Sequence, residues 1–187
     1  MYSIVNIDKN QIDQIIEISN NELGEGFISK VQLNHYINSK KKYICKLAIK
    51  DNMLLGFSIG IIVDSKYLKL LMGKDFERLP NSFLNNHFIY GQIKTIVVNS
   101  NYQLLGIGTA LCESTIIDLK KLDANKLIAT AWKQNNKVNS AKMLQKFGLK
   151  HLCEIPFFWK DESIKEKYNC KVCGLPPCIC TAVIYGG

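Results

Sequence analysis

The hydrophobic positions of this chain follow two periods, and the changes between them mark the predicted elements. Continuous or alternating β-branched runs predict strands, whereas apolar residues three or four positions apart predict helices. Residues 93–98 are the clearest strand, and Ile107, Leu111 and Ile117 share one helical face. The predicted strands are 2–7, 43–49, 54–63, 88–98, 126–132, 149–159 and 181–185, and the predicted helices follow Asp8 and cover 29–37, 106–121 and 138–147.

This order, β-α-α-β-β-β-α-β-α-β-β, predicts an α/β fold (α+β, with a mixed sheet) that carries helices on its faces. Asp8 and Gln11 form a variant of the capping box before the first helix, and Gly148 suits a left-handed cap after the last one. Residues 64–86 lack a clear period and are predicted to be a partly helical insertion. Residues 160–167 are predicted to be a charged linker.

The length of 187 residues allows one well-buried core and is too short for two ordinary domains, so residues 1–187 are expected to form a single domain. The start of the chain does not resemble a secretory signal, and no apolar run reaches the length of a membrane span. A cytoplasmic protein without a membrane partner is therefore expected. The sequence is also compatible with a homodimer.

The net charge of +8 favours an anionic partner, which could be a nucleic acid, an acidic protein or a polyphosphate cofactor. Nucleic acid is the least favoured of the three, because no recognisable face interleaves basic and aromatic residues.

Seven cysteines, four of them crowded into residues 170–180, do not fit an evenly paired disulfide framework. Cys45, Cys112 and Cys153 lie in apolar or helical contexts and are expected to be reduced packing residues.

The remaining four cysteines form a Cys-rich knuckle near the end of the chain. Cys170 and Cys173 have a common metal-knuckle spacing, whereas Cys178 and Cys180 are closer together than in the usual ribbon. Four thiolates in a tetrahedron are what structural zinc requires. Zinc binding is the favoured hypothesis for this cluster, and a reduced or redox-active cluster stays open as the alternative.

The segment 97–111 carries the chemistry, because a strand and a turn lead there to glycines at the start of a helix. Free N–H groups at a helix N-terminus favour an anion, and residues without a Cβ let a pyrophosphate approach the main chain. A Rossmann motif would need a third glycine where Leu111 stands after Gly106 and Gly108. A P-loop would need a lysine after the last glycine, and there is none.

The pattern Gln103-x-x-Gly106-x-Gly108 resembles the Gln/Arg-x-x-Gly-x-Gly/Ala motif with which GNAT-superfamily N-acyltransferases bind acyl-CoA. The strand, asparagine-containing turn and helix of residues 129–149 are similar to the next part of that family's fold. The resemblance covers residues 2–159 in matching element order. It implies an N-acetyltransferase that uses acetyl-CoA as co-substrate.

The resemblance also implies which residues contact the cofactor. In this family the strands on either side of the motif helix splay apart and the pantetheine arm enters the gap, and the main chain of Val97 and Val98 would hold the arm and polarise the thioester carbonyl. The implied cofactor-binding residues are Ile96, Val97, Val98, Gln103, Leu104, Leu105, Gly106, Ile107, Gly108, Thr109 and Asn139.

The catalytic groups are less well defined. The family's usual proton donor, a tyrosine, is replaced here by Leu144, and the central strand carries no carboxylate. Glu25, His87 and Glu154 are the candidate bases. The acceptor is expected to be a small-molecule or peptide amine, and the alternative function is a non-catalytic, zinc-containing module that binds an acidic partner or nucleic acid.

Overall fold

The computed structural model describes residues 1–187, which form a seven-stranded mixed sheet with helices on both faces. The strands are β1 (Ser3–Asn6), β2 (Tyr43–Lys50), β3 (Met53–Val63), β4 (Tyr90–Val98), β5 (Lys126–Lys133), β6 (Lys150–Ile155) and β7 (Thr181–Gly186). The helices are α1 (Ile12–Glu22), α2 (Lys30–Asn38), α3 (Ser65–Met72), α4 (Ile107–Lys121), α5 (Ala141–Lys146) and α6 (Lys160–Glu166). The predicted fold class is confirmed; α3 lies in the segment predicted to be partly helical, and α6 is one helix more than expected.

The strand order in the sheet is β1-β2-β3-β4-β5-β7-β6, and β4 and β5 are the one parallel pair. One face is covered by α1 and α2, whose side chains pack on β2 and β3. The other face is covered by α4, whose buried Leu111 and Leu119 contact the centre of the sheet, and by α5. Burying both faces supplies the main favourable term for folding. None of the helices reaches the length and hydrophobicity that a membrane crossing requires.

The predicted caps form as the sequence indicates. The Asp8 carboxylate accepts a hydrogen bond from the Asn10 N–H (3.0 Å), and the Gln11 side chain accepts one from the Asp8 N–H (2.9 Å). A single 3₁₀ turn then leads into α1. Gly148, with φ +82°, adopts the left-handed conformation after α5.

The segment 64–86 is partly helical, as predicted, and it is also part of the core. Leu68, Met72, Leu79 and Phe83 are buried against the strands at the β5-β7-β6 end of the sheet. The segment therefore covers sheet surface that α1 and α2 do not reach.

The prediction for residues 149–167 needs two corrections. The strand ends at Ile155, before the predicted residue 159, because Pro156 has no N–H for the ladder and Phe157 takes a positive φ of +58°. The predicted charged linker is the helix α6, whose Ser163 is fully buried. The aromatic residues after Pro156 suggested a strand, and α6 lacks the apolar stripe by which a helix is recognised.

Candidate active site

The two parallel strands at the centre of the sheet separate half way along their length. Strands β4 and β5 pair from Tyr90 and Lys126 as far as Ile93 and Ala129, and beyond that point no pairing joins them. The register between β3 and β4 shifts at the same place, where Lys94 is the extra residue of a bulge. Both strands continue past the bulge, so a gap opens between them.

The edge of β4 that lines this gap pairs with no other strand. The Asn99 N–H donates to the Leu55 carbonyl on β3 (2.9 Å), and in an antiparallel pair alternate residues direct their main-chain groups to the same edge. The main-chain N–H and C=O groups of Val97 therefore point toward β3, whereas those of Ile96 and Val98 point toward the gap. This register corrects the expected main-chain role of Val97, whose side chain is also buried in the core.

The loop after β4 gathers free main-chain donors. Leu104 and Gly106 both have positive φ (+63° and +80°), which turns the chain sharply into α4. The seven consecutive N–H groups of residues 103–109 make no hydrogen bond within the protein, and the first helical bond is donated by Ala110. Together with the positive end of the α4 dipole they form a cradle for an anion.

Gly106 and Gly108 differ in what a side chain at their position would meet. Gly106 needs its positive φ, since a Cβ there would meet nothing within 4 Å. A Cβ on Gly108 would lie 3.6 Å from Val98 Cγ2 and 3.8 Å from Met143 Sδ, which is ordinary contact distance. The protein therefore tolerates a larger residue at this position, and the space above it lies between the end of β4 and α5. Leu104 and Leu105 are exposed.

The side chain of Gln103 is hydrogen-bonded within the protein, whereas that of Asn139 is not. The Gln103 side chain donates from Nε2 to the Val98 carbonyl (3.0 Å) and so fixes the loop on the end of β4. Asn139 is exposed in the loop before α5, and its side chain makes no hydrogen bond within the protein. Leu144, which the resemblance places where the family has a tyrosine, is buried in the core, and its side chain has no ionisable group that could donate a proton.

The three candidate bases do not gather at the gap. His87 is exposed and precedes the start of β4, so the paired stretch of β4 and β5 separates it from the gap. Glu154 forms an ion pair with Lys133 (2.7 Å). Glu25 is exposed, and its carbonyl accepts a hydrogen bond from the Asn169 N–H (2.8 Å), which places it against the cysteine-rich segment.

A small cavity of about 20 Å³ lies at the β4 bulge, on the face covered by α2. Lys94 and Thr95 of β4 line it, and Glu162 of α6, whose side chain is exposed, is the one carboxylate among the lining residues. The remaining lining residues are Phe27, Ile28, Gln32, Tyr36 and Ile59. Burial and the charge of neighbouring Tyr43 and Glu162 raise the pKa of Tyr36, so its phenol stays protonated at neutral pH. Sequence reasoning missed Glu162 because α6 was taken for a linker.

Glu22, at the end of α1, joins the cofactor side to the cysteine-rich segment. Its carboxylate accepts a hydrogen bond from the Ser100 N–H (2.9 Å) in the loop after β4 and pairs with Lys171 (3.3 Å). Burial raises the pKa of Glu22, but these hydrogen bonds and the Lys171 charge outweigh burial, and its pKa is lowered. Glu22 is therefore an anion at neutral pH.

The four cysteines of the knuckle lie together. Their sulfur atoms are all within 4.8 Å of one another, and three of the separations are 3.3 Å (Cys173–Cys180), 3.7 Å (Cys170–Cys180) and 3.9 Å (Cys173–Cys178). A tetrahedral ion with a Zn–S distance of ~2.3 Å would place its sulfurs about 3.8 Å apart. The residues present therefore fit a zinc ion.

The other three cysteines are packing residues, as predicted. Burial raises the pKa of Cys45 and of Cys112 to about 12 and raises that of Cys153 as well. All three are free, buried thiols that stay protonated at neutral pH.

The open strand pair and the glycine loop both lie within the part of the chain that a known family model matches. A sequence model of the acetyltransferase (GNAT) family matches residues 12–149, and the chain belongs to this family. No curated protein sequence gives a significant match.

Several solved structures share the fold over nearly their whole length. Ard1 from Thermoplasma volcanium superimposes with a TM-score of 0.66 at 12% identity, over 100% of this chain and 96% of that one. YncA from Salmonella typhimurium, solved with its cofactor acetyl-CoA, superimposes with a TM-score of 0.64 at 13% identity, over 100% of this chain and 93% of that one. A chain of the NatC complex, which is bound to Gag peptide and CoA, superimposes with a TM-score of 0.67 at 13% identity, over 99% of this chain and 96% of that one. At these identities the likeness establishes the fold.

Proposed function

We propose that this protein transfers an acetyl, or another short acyl, group from acetyl-CoA to an amine. The observation that carries the proposal is the row of seven unused N–H groups, residues 103–109, beside the open gap between β4 and β5. The row suits a pyrophosphate, and the gap suits the extended arm of a thioester carrier. A structural zinc ion at the cysteine cluster completes the set of cofactors that we propose.

We propose separate roles for the gap-facing residues of β4, based on its register with β3. With the pyrophosphate on the loop, the arm runs from the end of β4 inward, so Val98 meets the arm and Ile96 lies nearer to the thioester. We therefore expect the Ile96 N–H to donate to the thioester carbonyl, with Val98 binding the arm. A main-chain donor held rigidly by β3 stabilises the negative charge that develops on this oxygen.

The reaction needs no covalent intermediate on the protein. The lone pair of a neutral amine attacks the thioester carbon, a C–N bond forms, and the C–S bond then breaks to release the thiolate of coenzyme A. A base first takes one proton from the acceptor's ammonium group to give this neutral amine, and after the attack the nitrogen loses a second proton to water. The thiolate can take a proton from water, which is consistent with Leu144 in the place of the family's tyrosine.

Glu162 is the base that the structure supports best. It lines the cavity at the bulge, beside the strand that would hold the thioester, whereas His87 and Glu154 lie elsewhere or are already paired. A carboxylate there attracts the acceptor's ammonium group and accepts its proton. Replacing Glu162 with Gln should lower kcat/KM by about 10²-fold or more, because general base catalysis contributes roughly that much.

The control for Glu162→Gln is Glu166→Gln, at the other end of α6 and outside the cavity. Acetyl-CoA binding should be unchanged in both variants. Equal transfer rates in the two variants would remove Glu162 from the mechanism. A residual activity that rises with pH in Glu162→Gln would support it, because the acceptor would then depend on solvent for its deprotonation.

The acceptor is a small-molecule or peptide amine in this proposal. The NatC complex, one of the structural neighbours, is bound to a peptide, which supports the peptide class. The seven free thiols fit a reducing compartment such as the cytoplasm.

The test combines binding and turnover. Thermal unfolding is measured with and without acetyl-CoA, because a ligand that binds the native state alone must raise the midpoint. A panel of small amines and of peptides with free N-termini or lysines is then screened for release of the coenzyme A thiol. A raised midpoint without turnover on any acceptor would favour the non-catalytic binding module, and no rise at saturating acetyl-CoA would refute the proposal.

A further inference from the structure

The Cys-rich knuckle, residues 170–180, packs against two segments that contribute residues to the cavity at the β4 bulge. It lies between α6 and β7, and two of its cysteines, Cys173 and Cys180, also line a cleft of about 370 Å³ with Lys133 at the end of β5. We infer that the four cysteines bind one zinc ion, and that this metal centre clamps both segments that border the acceptor side. The second half of this inference rests on the proposed function.

The sulfur geometry is that of a metal site. The separation of 3.3 Å between the Cys173 and Cys180 sulfurs is much longer than a disulfide of ~2.05 Å and lies near the edge length of a zinc–thiolate tetrahedron. Cys170, Cys178 and Cys180 are buried, so the site is closed to solvent on most sides. Four sulfur ligands select zinc over magnesium or calcium, which prefer oxygen.

The surroundings of the sulfurs supply donors to thiolates. The Ile179 N–H donates to the Cys173 sulfur (3.4 Å). The Trp132 Nε1–H and the Tyr168 hydroxyl are buried without a hydrogen-bond partner, and both side chains pack against the cluster. Donors of this kind orient and stabilise metal thiolates from the second coordination shell.

The first segment that the cluster holds is the loop between α1 and α2. The Asn169 N–H donates to the Glu25 carbonyl (2.8 Å) and the Lys171 N–H donates to the Leu23 carbonyl (2.9 Å). The approach is so close that a Cβ on Gly24 would lie 1.7 Å from the Asn169 carbonyl oxygen. Phe27 of this loop packs edge-on against Tyr168, with ring centroids 5.1 Å apart, and also lines the cavity at the bulge.

The second segment is α6, which carries Glu162. The Cys178 N–H donates to the Ser163 hydroxyl (2.8 Å), and that hydroxyl donates to the Lys160 carbonyl (2.7 Å). Helix α6 has only seven residues and is too short to be stable alone. Its position, and that of Glu162 within the cavity, therefore depends on the segment that the cysteines fold.

The first experiment measures metal content in the full chain purified under reducing conditions. We expect one zinc ion per chain, and we expect it to be lost in Cys178→Ser and kept in Cys153→Ser, which removes a buried thiol outside the cluster. If Cys178→Ser does not fold, thiol titration of the native wild-type chain replaces it, and four thiols should react only after a chelator removes the metal. Substoichiometric zinc with four freely reactive thiols would overturn the site, and stoichiometric iron would overturn the assignment to zinc.

The second experiment compares limited proteolysis of the zinc-bound and chelator-treated protein. Removing the metal should expose cleavage sites within residues 22–27 and 160–180, whereas the melting shift caused by acetyl-CoA should persist, since the cofactor loop lies on β4 and α4. Unchanged protection of both segments would overturn the clamp. Failure of the acetyltransferase proposal would show instead as an absent acetyl-CoA shift in the zinc-bound protein, so the two failures are distinguishable.

Discussion

Enlarging Gly108 is the sharpest test of where the cofactor lies. A Cβ at this position points toward Val98 Cγ2 (3.6 Å) and Met143 Sδ (3.8 Å), into the space between the end of β4 and α5. An alanine fits there at ordinary contact distance. A phenylalanine would extend into the mouth of the gap, where the pyrophosphate and the first part of the arm are expected.

The magnitude follows from ligand linkage. Acetyl-CoA at a hundred times its Kd stabilises the native state by about 2.7 kcal/mol. A domain of this size gains roughly 2–4 °C per kcal/mol, so the wild-type midpoint should rise by about 5–11 °C. Gly108→Phe should lose the whole shift, because the ring occupies the volume that the ligand needs.

The assay is thermal unfolding of wild type, Gly108→Ala and Gly108→Phe, each with and without acetyl-CoA. The unliganded midpoint of Gly108→Ala should stay close to that of wild type, because a Cβ at this position meets no atom closer than 3.6 Å. The unliganded midpoint of Gly108→Phe shows whether that variant keeps its fold. Gly108→Ala should keep most of the shift and serves as the matched control. A full shift in Gly108→Phe, with its unliganded midpoint unchanged, would show that the cofactor does not approach this turn.

Two further substitutions test the packing around the site. In urea unfolding, Gly24→Ala should lower the free energy of unfolding by about 2 kcal/mol more than Gly73→Ala does. Both glycines have positive φ, but only on Gly24 would a Cβ clash, because it would lie 1.7 Å from the Asn169 carbonyl oxygen. Equal losses of stability would contradict that packing. Asp118→Asn should cost about 2–3 kcal/mol at pH 7, because it leaves buried Lys46 without its carboxylate partner. Burial raises the pKa of Asp118, but hydrogen bonds and charge from Lys46 and Lys121 outweigh burial and lower this pKa below 3.8. The difference in unfolding free energy between wild type and variant should therefore persist above that pH and shrink as the pH falls through the lowered pKa. A difference that does not depend on pH would contradict the role of the ion pair.

The fold was largely predictable because its elements carry local signals. Residues 93–98 and 106–121 have unambiguous periods, and Asp8, Gln11 and Gly148 mark element ends by chemistry that acts within a few residues. The extra helix α6 could not be predicted in the same way. It is held by a buried serine hydroxyl and by a partner segment fifteen residues away, which no period within the helix reveals.

The same difference separates the two sides of the candidate site. The cofactor side consists of main-chain groups of one continuous segment, residues 96–109, so a short motif specifies it, and only the register on β3 was needed to separate Val97 from its neighbours. The cavity that we propose for the acceptor is lined by residues of the α1–α2 loop, α2, β3, β4 and α6. None of these segments carries a motif of its own, and the residues chosen from sequence, Glu25, His87 and Glu154, are not among the lining residues.

This contrast has a physical cause. A coenzyme presents the same pyrophosphate and amide groups to every enzyme that binds it, and main-chain donors at a helix start satisfy those groups whatever the surrounding side chains. An acceptor amine is recognised by shape and charge, which side chains from separate elements must supply together. In this chain the cysteine cluster contacts two of the segments that border the acceptor side and, through Lys171 and Glu22, the loop after β4. A rigid metal centre at that junction would fix the acceptor wall relative to the thioester, so its loss should impair transfer to the amine far more than binding of the coenzyme.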